Sequence, residues 1–121
     1  MDMRENVIVV KSKSFAVKIV QLYKFLVDER KEYVMSKQLL RSGTSIGANV
    51  HESINAQSTS DFVHKLSIAL KEADETSYWL ELLKESAYIA NEQYDPLYKD
   101  CCEIIAILTS IIKRIKSEEK I

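Results

Sequence analysis

SKQLLRSGTSIGANVHESINA, residues 36–56, is the stretch whose reading decides how this chain folds. Leu39, Leu40, Ile46, Val50 and Ile54 recur at the spacing of one helix face. Gly43 and Gly47 stand inside that run, where each costs roughly 1 kcal/mol relative to alanine. A helix that keeps two such residues needs to be thin there. With Ser42, Ser45 and Ala48 beside them, the glycines let a neighbouring helix come close. Arg41, Ser45, Asn49 and Glu52 follow at steps of four, four and three, so a polar stripe runs along another face.

To either side the pattern stays helical. Phe15, Ile19, Leu22 and Leu26 form a stripe that predicts a first helix over about 12–31, with a charged connection from Asp28 to Glu32 read as a solvated helix end and turn. Ser36 is the expected N-cap of a second helix over 36–56. Ser60 and Asp61 signal the start of a third, over 61–87, whose Phe62, Leu66, Ala69, Ala73, Thr76, Leu80 and Leu83 alternate steps of four and three. A fourth helix, over about 92–117, carries Leu97, Cys101, Ile104, Leu108, Ile111 and Ile115 in the same alternation. Its cap is either Asn91, or Asp95 with Pro96 at the first helical position.

Composition supports an all-α reading. Two glycines and one proline in 121 residues are too few to turn a many-stranded sheet, and a 46% hydrophobic share fits a single domain with a real core. Four helices of this length on short loops imply an antiparallel, up-down-up-down four-helix bundle spanning residues 1–121. Ile105, Ile107 and Ile112 widen the apolar face of the fourth helix beyond what one core is expected to bury. Together with Val7–Val10, read as an N-terminal arm that packs against the bundle or a neighbouring subunit, that face predicts a subunit interface and a homo-oligomer, with a broad core stripe as the alternative.

Folding the second and third helices about residue 58 brings Arg41 opposite Glu75 and Thr76, Ser45 opposite Glu72, and Glu52 opposite Lys65. Such a ladder, with Asn49 on the same stripe, fixes helix register; a ligand or nucleic-acid site on it is the alternative. Lys113, Arg114, Lys116 and Lys120 either complement the dipole of the last helix or contact phosphate.

Chemistry-bearing patterns are faint. Asp61-x-x-His64 occurs once, whereas a di-metal bundle needs such a pair on two helices, so neither a metal nor another cofactor is expected. His51 and His64 read as rim residues, and Trp79 and Tyr78 as packing residues. No nucleophile elbow, phosphate loop or Cys/His arrangement is visible, so no catalytic residue and no enzyme is expected. Cys101 and Cys102 are adjacent on a helix and read as reduced. With no apolar run of membrane-spanning length and no signal segment, a cytoplasmic protein without a membrane partner is expected. Net charge is −1, with nine Lys/Arg against six Asp/Glu in residues 1–60 and eight against twelve in residues 61–121. The molecule as a whole therefore exerts little pull on phosphate, although a local patch stays open.

The stretch SKQLLRSGTSIGANVHES, followed by DFVHKLSIALKEADETSYWLELLKES, resembles the bacterial four helix bundle proteins, also called ribosomal RNA intervening-sequence proteins because members are encoded within insertions in 23S rRNA genes. The resemblance rests on Arg41-Ser42, Ser45-Ile46, Asn49 and Glu52, with Phe62 and the run from Glu72 to Leu83, and extends over essentially the whole chain. It implies an antiparallel four-helix bundle assembled as a ring-like homopentamer. A related branch, the accessory variability determinant of diversity-generating retroelements, implies RNA or DNA and a reverse transcriptase as partners. The expected function is a non-enzymatic oligomeric scaffold or adaptor with weak RNA or DNA association. A reverse-transcriptase accessory protein with a basic surface is the alternative, and a ligand-binding bundle is a remote one.

Overall fold

The computed structural model describes residues 3–119 as four helices: α1 (Met3–Asp28), α2 (Met35–Ser53), α3 (Thr59–Glu85) and α4 (Asn91–Glu119). The predicted seams are the buried ones. Leu66, Ala69, Ala73, Thr76, Leu80 and Leu83 line the core from α3, and Leu97, Cys101, Ile104, Leu108, Ile111 and Ile115 line it from α4. On α1 the seam begins earlier than expected, because Ile8 and Ser12 continue the alternation of Phe15, Ile19, Leu22 and Leu26. Val7–Val10 thus packs against the bundle through Ile8, as expected, but as a turn of α1 and not as a separate arm. Helix propensity penalises β-branched residues weakly, and burial of Ile8 outweighs it.

Contacts between helices establish the topology. Gly43 and Gly47 of α2 pack on Ile19 and Ser12 of α1. Ser42 and Glu52 meet Thr76 and Lys65 of α3. Cys101 and Tyr98 of α4 meet Ala73 and Glu81 of α3, and Lys11 and Lys18 of α1 meet Glu103 and Asp100 of α4. In every pair one number rises as the other falls, so all four neighbouring pairs are antiparallel and the bundle runs up-down-up-down.

Helix ends depart from the sequence reading in instructive ways. The hydroxyl of Ser36 does not cap α2. The carboxylate of Glu32 does, accepting from the amides of Val34, Met35 and Ser36 at 3.2, 3.1 and 2.7 Å, while Ser36 donates its hydroxyl back to the Glu32 carbonyl. Glu32 is only 8% exposed, so the 28–32 connection is not simply solvated. Lys31, with φ of 54°, makes the left-handed step that turns Glu32 inward, and the Glu32 amide donates to the Leu26 carbonyl at 2.9 Å. At the start of α3 the cap is Ser58 rather than Ser60; its hydroxyl accepts from the Asp61 amide at 3.0 Å. α3 ends at Glu85, and past its C-cap Ser86 the left-handed step at Ala87, φ 64°, lets the Tyr88 amide reach the Leu83 carbonyl.

α4 starts at Asn91, so Pro96 lies inside the helix and not at its first position. Pro96 forgoes a bond to the Glu92 carbonyl, and because Glu92 is exposed water can take that carbonyl instead. The broad apolar face of α4 is also accounted for. Ile112 is buried and Ile105 and Ile107 pack half-buried against the core, since α4 must touch both α1 and α3. The most exposed aliphatic side chains of the helices lie elsewhere, with Val10 at 69% and Val17 at 52% on α1.

Candidate functional site

Of the expected ladder, the structure brings together two rungs and redirects the rest. Arg41 bridges to Glu72 at 3.1 Å and also to Glu75, using a different nitrogen for each carboxylate instead of a two-pronged bond to one. Lys65 meets Glu52 at 3.1 Å. Ser45 and Asn49 do not cross to α3: Ser45 donates to the Arg41 carbonyl at 2.6 Å, and Asn49 donates to the Ser45 carbonyl at 2.9 Å. Both side chains are short, and a carbonyl one turn back is the nearer acceptor.

Trp79, read from sequence as packing alone, belongs to the ladder. Its indole N–H donates to Glu75 at 3.1 Å, and this bond, followed by Arg41, holds the Glu75 carboxyl below its ordinary range against the opposing effect of burial. The four-residue step from Glu75 to Trp79 was the available signal. Beneath the ladder Thr76 shares its hydroxyl proton between Ser42 Oγ at 2.9 Å and the Glu72 carbonyl at 2.7 Å, and Ser42 donates its own to the Leu39 carbonyl at 3.4 Å. This buried rung pins α2 to α3 in one register. Arg41 remains 49% exposed in its side chain, so solvent screens its bridges. Arg41→Ala is accordingly expected to lower stability by only about 0.5–1 kcal/mol at low salt, and by less at 1 M salt, as read from thermal melts. An unchanged melting temperature at low salt would remove these bridges from the stability account.

The two glycines meet α1. A Cβ on Gly43 would lie 2.8 Å from Ile19 Cγ2, and one on Gly47 would lie 3.2 Å from the Ser12 carbonyl oxygen. Beside Gly47 the seam of α1 and α2 opens into a groove of about 250 Å³, lined by Val9, Lys13, Ala16, Thr44, Ala48 and His51 among others. The bridges that tie α2 to α3 and α1 to α4 have no counterpart in this lining, which is mostly apolar and small.

At the far end of α4, Arg114 is engaged by Glu5 at 3.5 Å and Glu118 at 3.4 Å. That leaves exposed Lys113 and Lys116 as the described cations of the expected phosphate patch; Lys120 lies outside the described residues. Carboxylates are thus interleaved with these cations, which dilutes the local potential.

The remaining chemistry-bearing groups are dispersed. Cys101 donates its thiol proton to the Ala73 carbonyl at 3.2 Å, and burial pushes its pKa to about 12, so it is protonated and a poor nucleophile. Cys102 is exposed and unbonded to Cys101. His51 and His64 both face solvent, and among the described residues no three His, Cys, Asp or Glu side chains converge as metal ligands. Tyr98 donates to Glu81 at 2.9 Å and stacks on Tyr94. Among the described residues no helix is long and apolar enough to cross a membrane.

A family model described as 23S rRNA-intervening sequence protein matches residues 4–110. Among solved structures, a protein of unknown function from the S23 ribosomal protein family, from Bacteroides thetaiotaomicron VPI-5482, is 62% identical in sequence. The match covers 92% of this chain and 99% of that one, with a TM-score of 0.90. No curated protein matches the sequence.

Proposed function

The chain belongs to the 23S rRNA-intervening sequence protein family, and we propose that it is a non-enzymatic, cytoplasmic scaffold or adaptor that works as a homo-oligomer and associates weakly with RNA or DNA. The observation that carries this reading is the outer ridge of α1. Val7, Val10 and Val17 are 37%, 69% and 52% exposed, on steps of three and seven that keep them on one side of the helix. A row of exposed valines on one side of a helix is surface that assembly would bury. Most of the charged groups of the polar seams hold helix to helix, which suits a scaffold better than a reaction centre. Light scattering is expected to give a mass well above the 13.9 kDa chain, near five times that value if the family's ring is kept.

The nucleic-acid part of the reading is tested by salt. Contact through Lys113 and Lys116 of the α4 patch corresponds to a log–log slope of binding against salt of about −1 to −2 on single-stranded RNA, with binding largely gone at about 0.15 M. A much steeper slope, beyond about −4, would favour the accessory role beside a reverse transcriptase, with its basic surface. No binding even at low salt would remove nucleic acid from the proposal altogether.

A further inference from the structure

Outward-facing residues of α1 and α3 match one another in spacing and oppose one another in charge. On α1, exposed Lys13, Val17 and Lys24 follow at steps of four and seven. On α3, exposed Asp74, Tyr78 and Glu85 follow at the same steps. Each stripe places an apolar side chain between two like charges, cationic on α1 and anionic on α3. Val17 is 52% and Tyr78 56% exposed, and the Tyr78 ring is braced edge-on by Trp79 at 5.1 Å. Steps of four and seven keep each trio on one helix face.

The stripes also overlap in height. Through the contacts of Gly43 with Ile19 and of Ser42 with Thr76, Val17 falls level with Ala73, and through those of Lys18 with Asp100 and of Tyr98 with Glu81 it falls level with Tyr78, so the stripes stand within about one and a half helical turns of each other. α1 and α3 are not neighbours in the bundle, and both run in the same direction. One copy can therefore present its α1 stripe to the α3 stripe of another with the two bundles side by side and a slide along their axes of at most about one and a half helical turns. Lys13 then meets Asp74, Val17 meets Tyr78, and Lys24 meets Glu85. Lys71 falls opposite Val10, so no like charges are brought together.

We propose that the Lys13–Val17–Lys24 stripe of one copy docks on the Asp74–Tyr78–Glu85 stripe of the next, as a heterologous contact between copies of this chain. The inference rests on the homo-oligomer reading above and adds which surfaces meet. Because the two surfaces differ, every copy keeps one of each to offer, and assembly continues until a ring closes or a filament grows.

Charge reversal tests it, using sedimentation over a concentration series. Lys13→Glu with Lys24→Glu, and separately Asp74→Lys with Glu85→Lys, should each raise the dissociation constant at least tenfold while leaving the helical circular dichroism unchanged, since all four side chains face solvent. All four substitutions in one chain should restore assembly, because the charges are again opposite. An assembled wild type that is indifferent to either pair, or a fourfold variant that fails to recover, overturns the docking surfaces and leaves the homo-oligomer standing. A wild type that stays monomeric at every concentration overturns both.

Discussion

Gly43→Ala is expected to destabilise the fold by about 1–3 kcal/mol, although alanine is the better helix former. The new methyl would lie 2.8 Å from Ile19 Cγ2 and 2.9 Å from Cγ1. Ile19 is fully buried, branched at Cβ and held in one rotamer, so it has nowhere to swing. Overpacking thus outweighs the gain of roughly 1 kcal/mol in helix propensity. Gly47→Ala provides the contrast. Its methyl would stand 3.2 Å from the Ser12 carbonyl oxygen, a gap that a small shift of α1 can relieve, so the two terms nearly cancel. Urea melts should show Gly43→Ala with a lower midpoint and an unchanged slope. Pairing it with Ile19→Ala should give a favourable coupling of at least about 1 kcal/mol, since the added methyl then enters the space vacated. A Gly43→Ala protein more stable than wild type would mean that α1 does not press on α2 there.

Removing the Glu32 carboxylate is expected to cost more, about 2–4 kcal/mol for Glu32→Ala at neutral pH. Three amides at the start of α2 would lose their acceptor, and that of Ser36 is buried. The pH dependence gives a sharper check. Burial pushes the Glu32 carboxyl up, but the bonds from Ser36, Met35 and Val34 together pull it further down, to a net position below the ordinary 4.5. A carboxyl held lower in the folded than in the unfolded chain contributes fully above the unfolded value, and loses that contribution as pH falls through the folded one. Glu32→Gln should therefore be clearly less stable than wild type at pH 7, with the gap closing once the pH falls below about 4. Parallel melting curves across that range, with a constant gap, would show that charge at Glu32 is not what caps the helix.

Periodicity in this chain was sufficient for the outline. The steps of four and three in α3 and α4 named twelve buried seam positions between them, because a helix that must hide one side has to repeat apolar residues at its own pitch. The rung from Glu52 to Lys65 followed from counting outward from the turn, since antiparallel helices pair residues by a nearly constant sum. The glycines spoke for themselves as places where something approaches, because their propensity cost needs a reason. All of these are properties of one helix, or of two helices and a short loop.

Other features depended on where separate segments come to lie. That α1 is the helix resting on Gly43 and Gly47, that Ile8 carries the α1 seam toward the N-terminus, and that Trp79 completes a bond network begun by Arg41 are facts of position in three dimensions. Glu32 shows the difference most clearly. In sequence it is one charge among five in a polar run, and only the left-handed step at Lys31 turns it from solvent to the amides of α2. The amino-acid order alone determined a four-helix bundle, its core faces and the thin place in α2. Tertiary structure decided which side chains are left outward on α1 and α3, because exposure depends on the neighbours that fail to cover a residue as much as on the residue itself.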